Sequence, residues 1–241
     1  MSATTTATAI DVRRADTRPH TRIDWLDSRH SFSFGHHYDP TNVGHGLLLV
    51  SNDDRVRAGT GFSTHPHRDM EIVTWVLSGR LEHKDSEGNH GEIYPGLAQR
   101  MSAGTGIWHS EMNPSPTEDV RFVQMWVRPD TPHIDPGYQQ LDINAELDHG
   151  GLQPIASGQG HDAAITIRQR DAVLWGGRLR PGESVPVPDG RHVHLFMAVG
   201  DAELESAGTL AEGDAARLTG AGSPRLTAGP GGAEVLVWVT A

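Results

Sequence analysis

The sequence predicts an all-β protein built of two similar β-domains in tandem. Three observations carry this expectation. Short apolar stretches of strand length, rich in β-branched and aromatic residues, recur along the chain. Turn signals such as "SEGN", "RPGES" and "VPDG" separate stretches of this kind, in a chain that holds 28 glycines and 15 prolines. There is also a coarse repeat. Near Gly79, "HPHRDMEIVTWVLSGRLEHKD" sets a histidine pair before an apolar strand, a glycine and a second strand, and near Gly200 "RHVHLFMAVGDAELES" does the same.

The elements follow in chain order. The opening "MSATTTATAI" has neither a charged start nor an apolar core, so residues 1–10 are expected to form a disordered tail rather than a secretory signal. A first domain is expected over 11–135, with "EIVTWVLSG" and "VRFVQMWV" as its clearest strands. Around "INAELDHGG" comes the nearest approach to a helical pattern, read as a linker or short helix over 136–150. A second domain over 151–241 contains the strand candidates "AAITIRQ", "HVHLFMAVG" and "AEVLVWVT". No stretch sustains a helical period over three turns, and many short strands at this spacing indicate a sandwich or barrel.

Composition narrows the function. The net charge of −11 argues against an extended nucleic-acid surface. Arg168, Arg170, Arg178 and Arg180 form a small basic cluster, read as a solvated face. With no cysteine, disulfides, thiolate metal sites and a catalytic thiol are excluded, which suits the cytoplasm. No apolar run reaches the roughly 18 to 20 residues of a membrane span. No nucleophile elbow, P-loop or dinucleotide fingerprint occurs. "GTGFSTHPH" is glycine-rich but leads to a strand, so it is not a phosphate cradle at a helix start.

Histidine is the informative residue. With 15 in the chain, roughly one H-x-H pair is expected by chance, and two occur, His65/His67 and His192/His194. H-x-E also occurs twice, as His90/Glu92 and His109/Glu111. Context separates the four dyads. On a strand, residues i and i+2 share a face, so two imidazoles there can converge on one ion. His65 and His67 lead into an apolar strand, and the tight turn "SAGTG" sets His109 and Glu111 near a rim. The intervening stretch has room for two or three strands, so a barrel can bring these dyads face to face. Three imidazoles and a carboxylate would leave positions open for water, substrate or oxygen. His90/Glu92 lies in a turn-like hydrophilic stretch and reads as a solvated hairpin end. His192/His194 begins a strand, but no histidine follows it.

Glu71 shares the parity of His65 and His67, as a further ligand or a proton-handling group. Trp75, Trp108 and Trp126 read as barrel core, with Trp108 the best exception because it adjoins His109. Gln124 is a candidate polar residue of the pocket.

These residues resemble the cupin pattern, a glycine-led H-x-H and glutamate followed by a later histidine dyad. More closely, the first 130 residues resemble the pirin family, bicupins described as quercetin 2,3-dioxygenase-like. "WLDSRHSFSF", "YDP", "NDDRV", "GTGFSTHPHRDMEI" and "MSAGTGIWHSEMNPS" carry the resemblance. It implies two jelly-roll barrels, the first holding a metal on His65, His67, His109 and Glu111, the second degenerate and metal-free. It implies that Glu71 lies beside the ligands without binding the ion. Iron is the first expected metal, with nickel, copper, manganese or zinc also suited to these donors. The implied activity is oxidative ring cleavage of a flavonol such as quercetin by O2, with carbon monoxide released and Glu111 as base. Two alternatives stay open: a metal-bearing binding protein that regulates a protein partner without turnover, and a metal-dependent isomerase.

Overall fold

Strand formation governs almost the whole of the computed structural model, which describes residues 9–241. Of the tail expected over 1–10, residues 1–8 lie outside the described residues, and Ala9 and Ile10 already belong to a strand. The first half runs β1 (Ala9–Arg13), β2 (His20–Arg22), β3 (Leu26–His30), β4 (Leu48–Val56), β5 (Gly61–His67), β6 (Glu71–Ser78), β7 (Leu81–Asp85), β8 (His90–Ile93), β9 (Leu97–Ser102), β10 (Ile107–Met112), β11 (Val120–Val127) and β12 (Gly137–Asp142). The short helix α1 (Asn144–Asp148) follows. Then come β13 (Gln153–Ser157), β14 (Ile165–Thr166), β15 (Ala172–Leu179), β16 (Ser184–Pro186), β17 (His192–Leu204), β18 (Gly208–Leu210), β19 (Ala215–Thr219) and β20 (Arg225–Thr240).

Three sheets result. In the first half a seven-stranded sheet, β12-β9-β6-β11-β4-β3-β2, packs on a four-stranded one, β5-β10-β7-β8. In the second half β1-β19-β17-β20-β15-β13-β14 forms one nine-stranded sheet, with β16 and β18 added to β20 and β17. The long strands β17 and β20 pass through irregular register at Met197/Val199 and Gly200/Ala202, and bulges of this kind bend a strand enough to fold its sheet over. Residues 9–13 pair with β19, so the described residues begin in the nine-stranded sheet of the second half, although the sequence pattern places residues from 11 onward in the first unit. The cause is visible in its pattern: Ile10 and Val12 alternate with polar residues and pack against the second half's core.

Alternation also decides what each face does. On β6, Ile72 and Val76 pack inside the first half, whereas Val73 and Trp75 face outward. On β17, Val193, Leu195 and Met197 fill the second half, whereas Phe196 and Ala198 face outward. The two outward faces meet. Val73, Trp75, Val123 and Met125 from one half join Leu174, Phe196, Leu236 and Trp238 from the other in a shared core. Each such side chain contributes roughly 1.5–3 kcal/mol when fully buried. Polar handles are matched across the seam: Trp75 Nε1 donates to Glu234 Oε1 at 2.7 Å, and Trp238 Nε1 points to Met125 Sδ at 3.1 Å.

Candidate metal centre

β10 lies between β5 and β7 and sets the register of the site. Across β5, His109 pairs with His65 and Ile107 with His67. Across β7, His109 pairs with Asp85 and Glu111 with His83. Gly61 allows the approach of β5, since a Cβ there would run into the Glu111 carbonyl and Met112 Cα. The turn before β10 relies on Gly104, at φ +48°, where a side chain would strike the Ile134 carbonyl.

The result is a group of three imidazoles, His65, His67 and His109, with ligand-capable nitrogens all within 4.8 Å of one another. Their hydrogen bonds dictate which nitrogen is free. His65 Nδ1 donates to the Ser63 carbonyl at 2.8 Å, leaving Nε2 as a lone pair. His83 Nε2 donates to Asp85 Oδ2 at 3.0 Å, so His83 Nδ1 is an acceptor facing His109 Nδ1 at 3.4 Å. His109 Nδ1 therefore carries the proton, and its Nε2 is again a lone pair. The two Nε2 atoms stand 3.0 Å apart, and with these tautomers neither donates to the other. His67 Nε2 is buried and has no partner either.

Two lone pairs and the unpartnered Nε2 of His67 thus converge where protein supplies no partner, which is costly unless a cation takes them up. Protons are poorly placed to do so. Burial, reinforced by His109 and His65, pushes His67 down to about 4. Burial, reinforced by His65 and His83, pushes His109 down to about 3. Neutral imidazoles with oriented Nε2 atoms suit a divalent transition ion, and the Asp85–His83–His109 chain is the kind of outer support that holds such a ligand in place.

Glu111 is buried on the same strand face as His109. It falls outside the group of three, and both its oxygens accept Gln124 Nε2, at 2.9 and 2.8 Å. Gln124 is turned this way because its Oε1 accepts Trp126 Nε1 at 3.2 Å. Trp126 packs edge-on against His67, with ring centroids 4.9 Å apart, and against Phe34 at 5.7 Å. So Trp126 walls the pocket while packing against the first half's inner cluster, whereas Trp75, expected in the barrel core, is buried instead in the core shared by the two halves.

Two expectations are corrected. Trp108 is 54% exposed: it alternates with His109, so the strand that turns the histidine inward turns the indole out. Glu71 does not sit beside the imidazoles. The turn at Arg68–Met70, with Asp69 at φ +48°, ends β5 and breaks the parity that links Glu71 to His67. Its Oε2 instead accepts Ser102 Oγ at 2.9 Å and the Arg168 N–H at 3.0 Å, tying the two halves together, and burial raises its pKa.

His83 and Asp85 were missed from sequence, although "LEHKD" gave a signal, an H-x-D dyad on a strand. Burial opposes the charge of Asp85, but hydrogen bonds from His83 and Asn89 outweigh it and hold the carboxyl below its usual range. His192/His194 faces the other half, where the His194 ring lies 5.4 Å from that of Phe32. His90 is exposed and pairs with Glu82 at 3.2 Å.

Two β-domains in tandem, with an H-x-H strand beside a histidine strand in the first alone, define a two-domain cupin with one candidate metal centre. Family profiles divide the chain accordingly: Pirin matches residues 11–127 and the quercetinase C-terminal cupin domain matches 154–238. A Mycobacterium tuberculosis protein, provisionally named a quercetin 2,3-dioxygenase, is 59% identical over 95% of this chain and 94% of its own. The Escherichia coli K12 protein named quercetin 2,3-dioxygenase is 46% identical over 73% of this chain and 75% of its own. The crystal structure of the E. coli bacterial pirin YhhW in complex with nickel(II) superposes with a TM-score of 0.87 at 36% identity, covering 96% of this chain and 99% of that one. The chain belongs to the pirin family.

Proposed function

We propose that this protein is a metal-dependent dioxygenase that opens the ring of a flavonol such as quercetin with O2. The observation that carries the reading is the convergence of three imidazoles with ligand-capable nitrogens beside a buried carboxylate. His65, His67 and His109 would hold the ion, with Glu111 as fourth ligand, in the cytoplasm and with iron as the first expected metal. A bound ion would supply Lewis acidity and, if redox-active, the means to engage dioxygen. The remaining roles belong to the chain. Glu111 takes the proton of the substrate hydroxyl, and Gln124, steadied by Trp126, holds that carboxylate in position. Trp126 and Phe34 offer an apolar wall for an aromatic ring next to His67. The relatives' quercetin 2,3-dioxygenase names support the choice of substrate.

A second reading draws on Trp108, an exposed indole on the outer face of the strand that carries His109. There the protein would be a metal-bearing module that binds a protein partner without turnover. Aerobic incubation of metal-loaded protein with quercetin separates the two, following flavonol absorbance and carbon monoxide. The first reading expects both signals and their loss in Glu111→Gln. No turnover across several flavonols would overturn it for this substrate class.

A further inference from the structure

A second set of unsatisfied donors lies apart from the histidines, at the seam of the two halves. A cavity of about 390 Å³ opens there, with Arg18, Ser31, Ser33, Tyr38, Asn42 and Arg217 in its lining. Three buried donors of this one lining, Arg18 Nε, Ser31 Oγ and Arg217 Nε, have no partner among the described residues. Arg18 donates from Nη1 to the Gly213 carbonyl at 2.9 Å and from Nη2 to that of Arg29 at 2.7 Å, and lies 4.9 Å from the centroid of Phe196. Arg217 donates from Nη2 to the Ser31 carbonyl at 2.6 Å and to Asn42 Oδ1 at 2.7 Å, and lies 4.6 Å from the centroid of Phe32.

All of these partners are neutral. Arg121, equally buried, is the internal control: it grips both oxygens of Asp53 at 2.9 Å and Glu212 at 2.6 Å. Burial opposes the Arg121 charge, but those carboxylates outweigh it and raise its pKa. Burial lowers Arg18 and Arg217 to about 10, and the charges of Asp53 and Asp54 on Arg18 and of Asp11 on Arg217, none of them hydrogen-bonded to either guanidinium, offset it only in part. The carboxylate that does line the cavity, Asp39, is turned to the Thr41 N–H and hydroxyl. A buried cation whose hydrogen-bond partners are all neutral is expensive, and guanidinium donors match oxyanions best.

We propose that this cavity binds the oxyanion of a small metabolite, a carboxylate or phosphate group, between Arg18 and Arg217, with the Ser31 hydroxyl as a further donor. Ser31, Ser33 and Tyr38 come from "WLDSRHSFSF" and "YDP", and none of the three belongs to the histidine group. The inference does not depend on the dioxygenase reading.

The test titrates the full, metal-loaded chain with inorganic phosphate and separately with succinate, against sodium chloride at matched ionic strength, by thermal shift and calorimetry. Saturable binding of at least one oxyanion is expected, and the arm that responds names the group. Arg217→Gln should weaken it about tenfold or more, as loss of a charge-assisted pair does. Ser31→Ala, which removes a hydroxyl with no protein partner and so leaves folding intact, should weaken it about threefold. No saturable response to either oxyanion, or a response unchanged in both variants, would overturn the proposal.

Discussion

β10 in the first half and β17 in the second each carry a histidine-containing dyad at i and i+2, but they aim it in opposite directions. His109 and Glu111 point between the sheets of the first half, where Asn52, Asp54, His83 and Gln124 are also buried. His192 and His194 point away from their own core, toward the seam. What β17 turns inward is Val193, Leu195 and Met197, which pack with Leu204, Leu218, Leu226 and Val237. The first interior tolerates an acid as awkward as Asp54, whose pKa burial pushes up to about 7 and whose carboxylate accepts the Ser28 hydroxyl. One strand parity thus separates a chemical interior from a structural one, on the same fold.

The sharpest way to break this contrast is to put a polar group into the second interior. Leu195→Asn buries an amide among aliphatic side chains and leaves a cavity, so thermal unfolding should report a loss of about 3–5 kcal/mol. An equal effect on metal binding without loss of stability would mean that this half is not a purely structural core.

A smaller change probes the supports of the first interior. Asp85→Asn keeps the volume but removes the carboxylate that orients His83 and, through it, His109. Metal affinity should fall 10- to 100-fold with the fold retained, as for other outer supports of a ligating histidine. Unchanged affinity would remove the tautomer argument.

Acidity discriminates the halves as well. His67 and His109 are held neutral, at about 4 and about 3, against a usual value near 6.5. The unfolded chain therefore binds more protons than the folded one between these limits, and stability rises with pH there. The contribution of His67 and His109 to the stability of metal-free protein should fall as pH drops below about 6.5, levelling near 4 for His67 and near 3 for His109, while Asp54, raised to about 7, acts in the opposite sense. Replacing both by leucine should flatten that slope in urea titrations at several pH values. His194 is depressed as well, well below its ordinary value by burial, so a residual slope should remain in the double variant.

The smallest effect is expected at the seam. His194→Leu removes a buried nitrogen with no partner, so stability should change by no more than about 1 kcal/mol and metal content not at all. A loss of metal in this variant would place part of the site in the wrong half.

Most of this architecture is legible in the sequence because strand alternation is a local property. β6 and β11 fall on "EIVTWVLS" and "VRFVQMWV", and the helix falls within "INAELDHGG". The pairing of His65/His67 with His109 follows from the same rule applied to two strands. What local pattern cannot supply is register and direction across turns. Glu71 shares the parity of His65 and His67 only when the count runs through a turn that resets it. Trp108 adjoins His109 in sequence but has the opposite parity, and it is parity that decides its exposure. The first strand's pairing with β19 spans almost the whole chain, beyond any local signal. His83 and Asp85 come into play because β7 lies beside β10, a neighbour relation that no spacing encodes.

The central claim is that one half binds metal and the other does not. Metal content per chain, measured on wild type, His67→Ala and His194→Ala loaded under identical conditions, tests it most directly. The account predicts one equivalent in wild type and His194→Ala and almost none in His67→Ala. Two equivalents in wild type, or equal content in all three proteins, would contradict it.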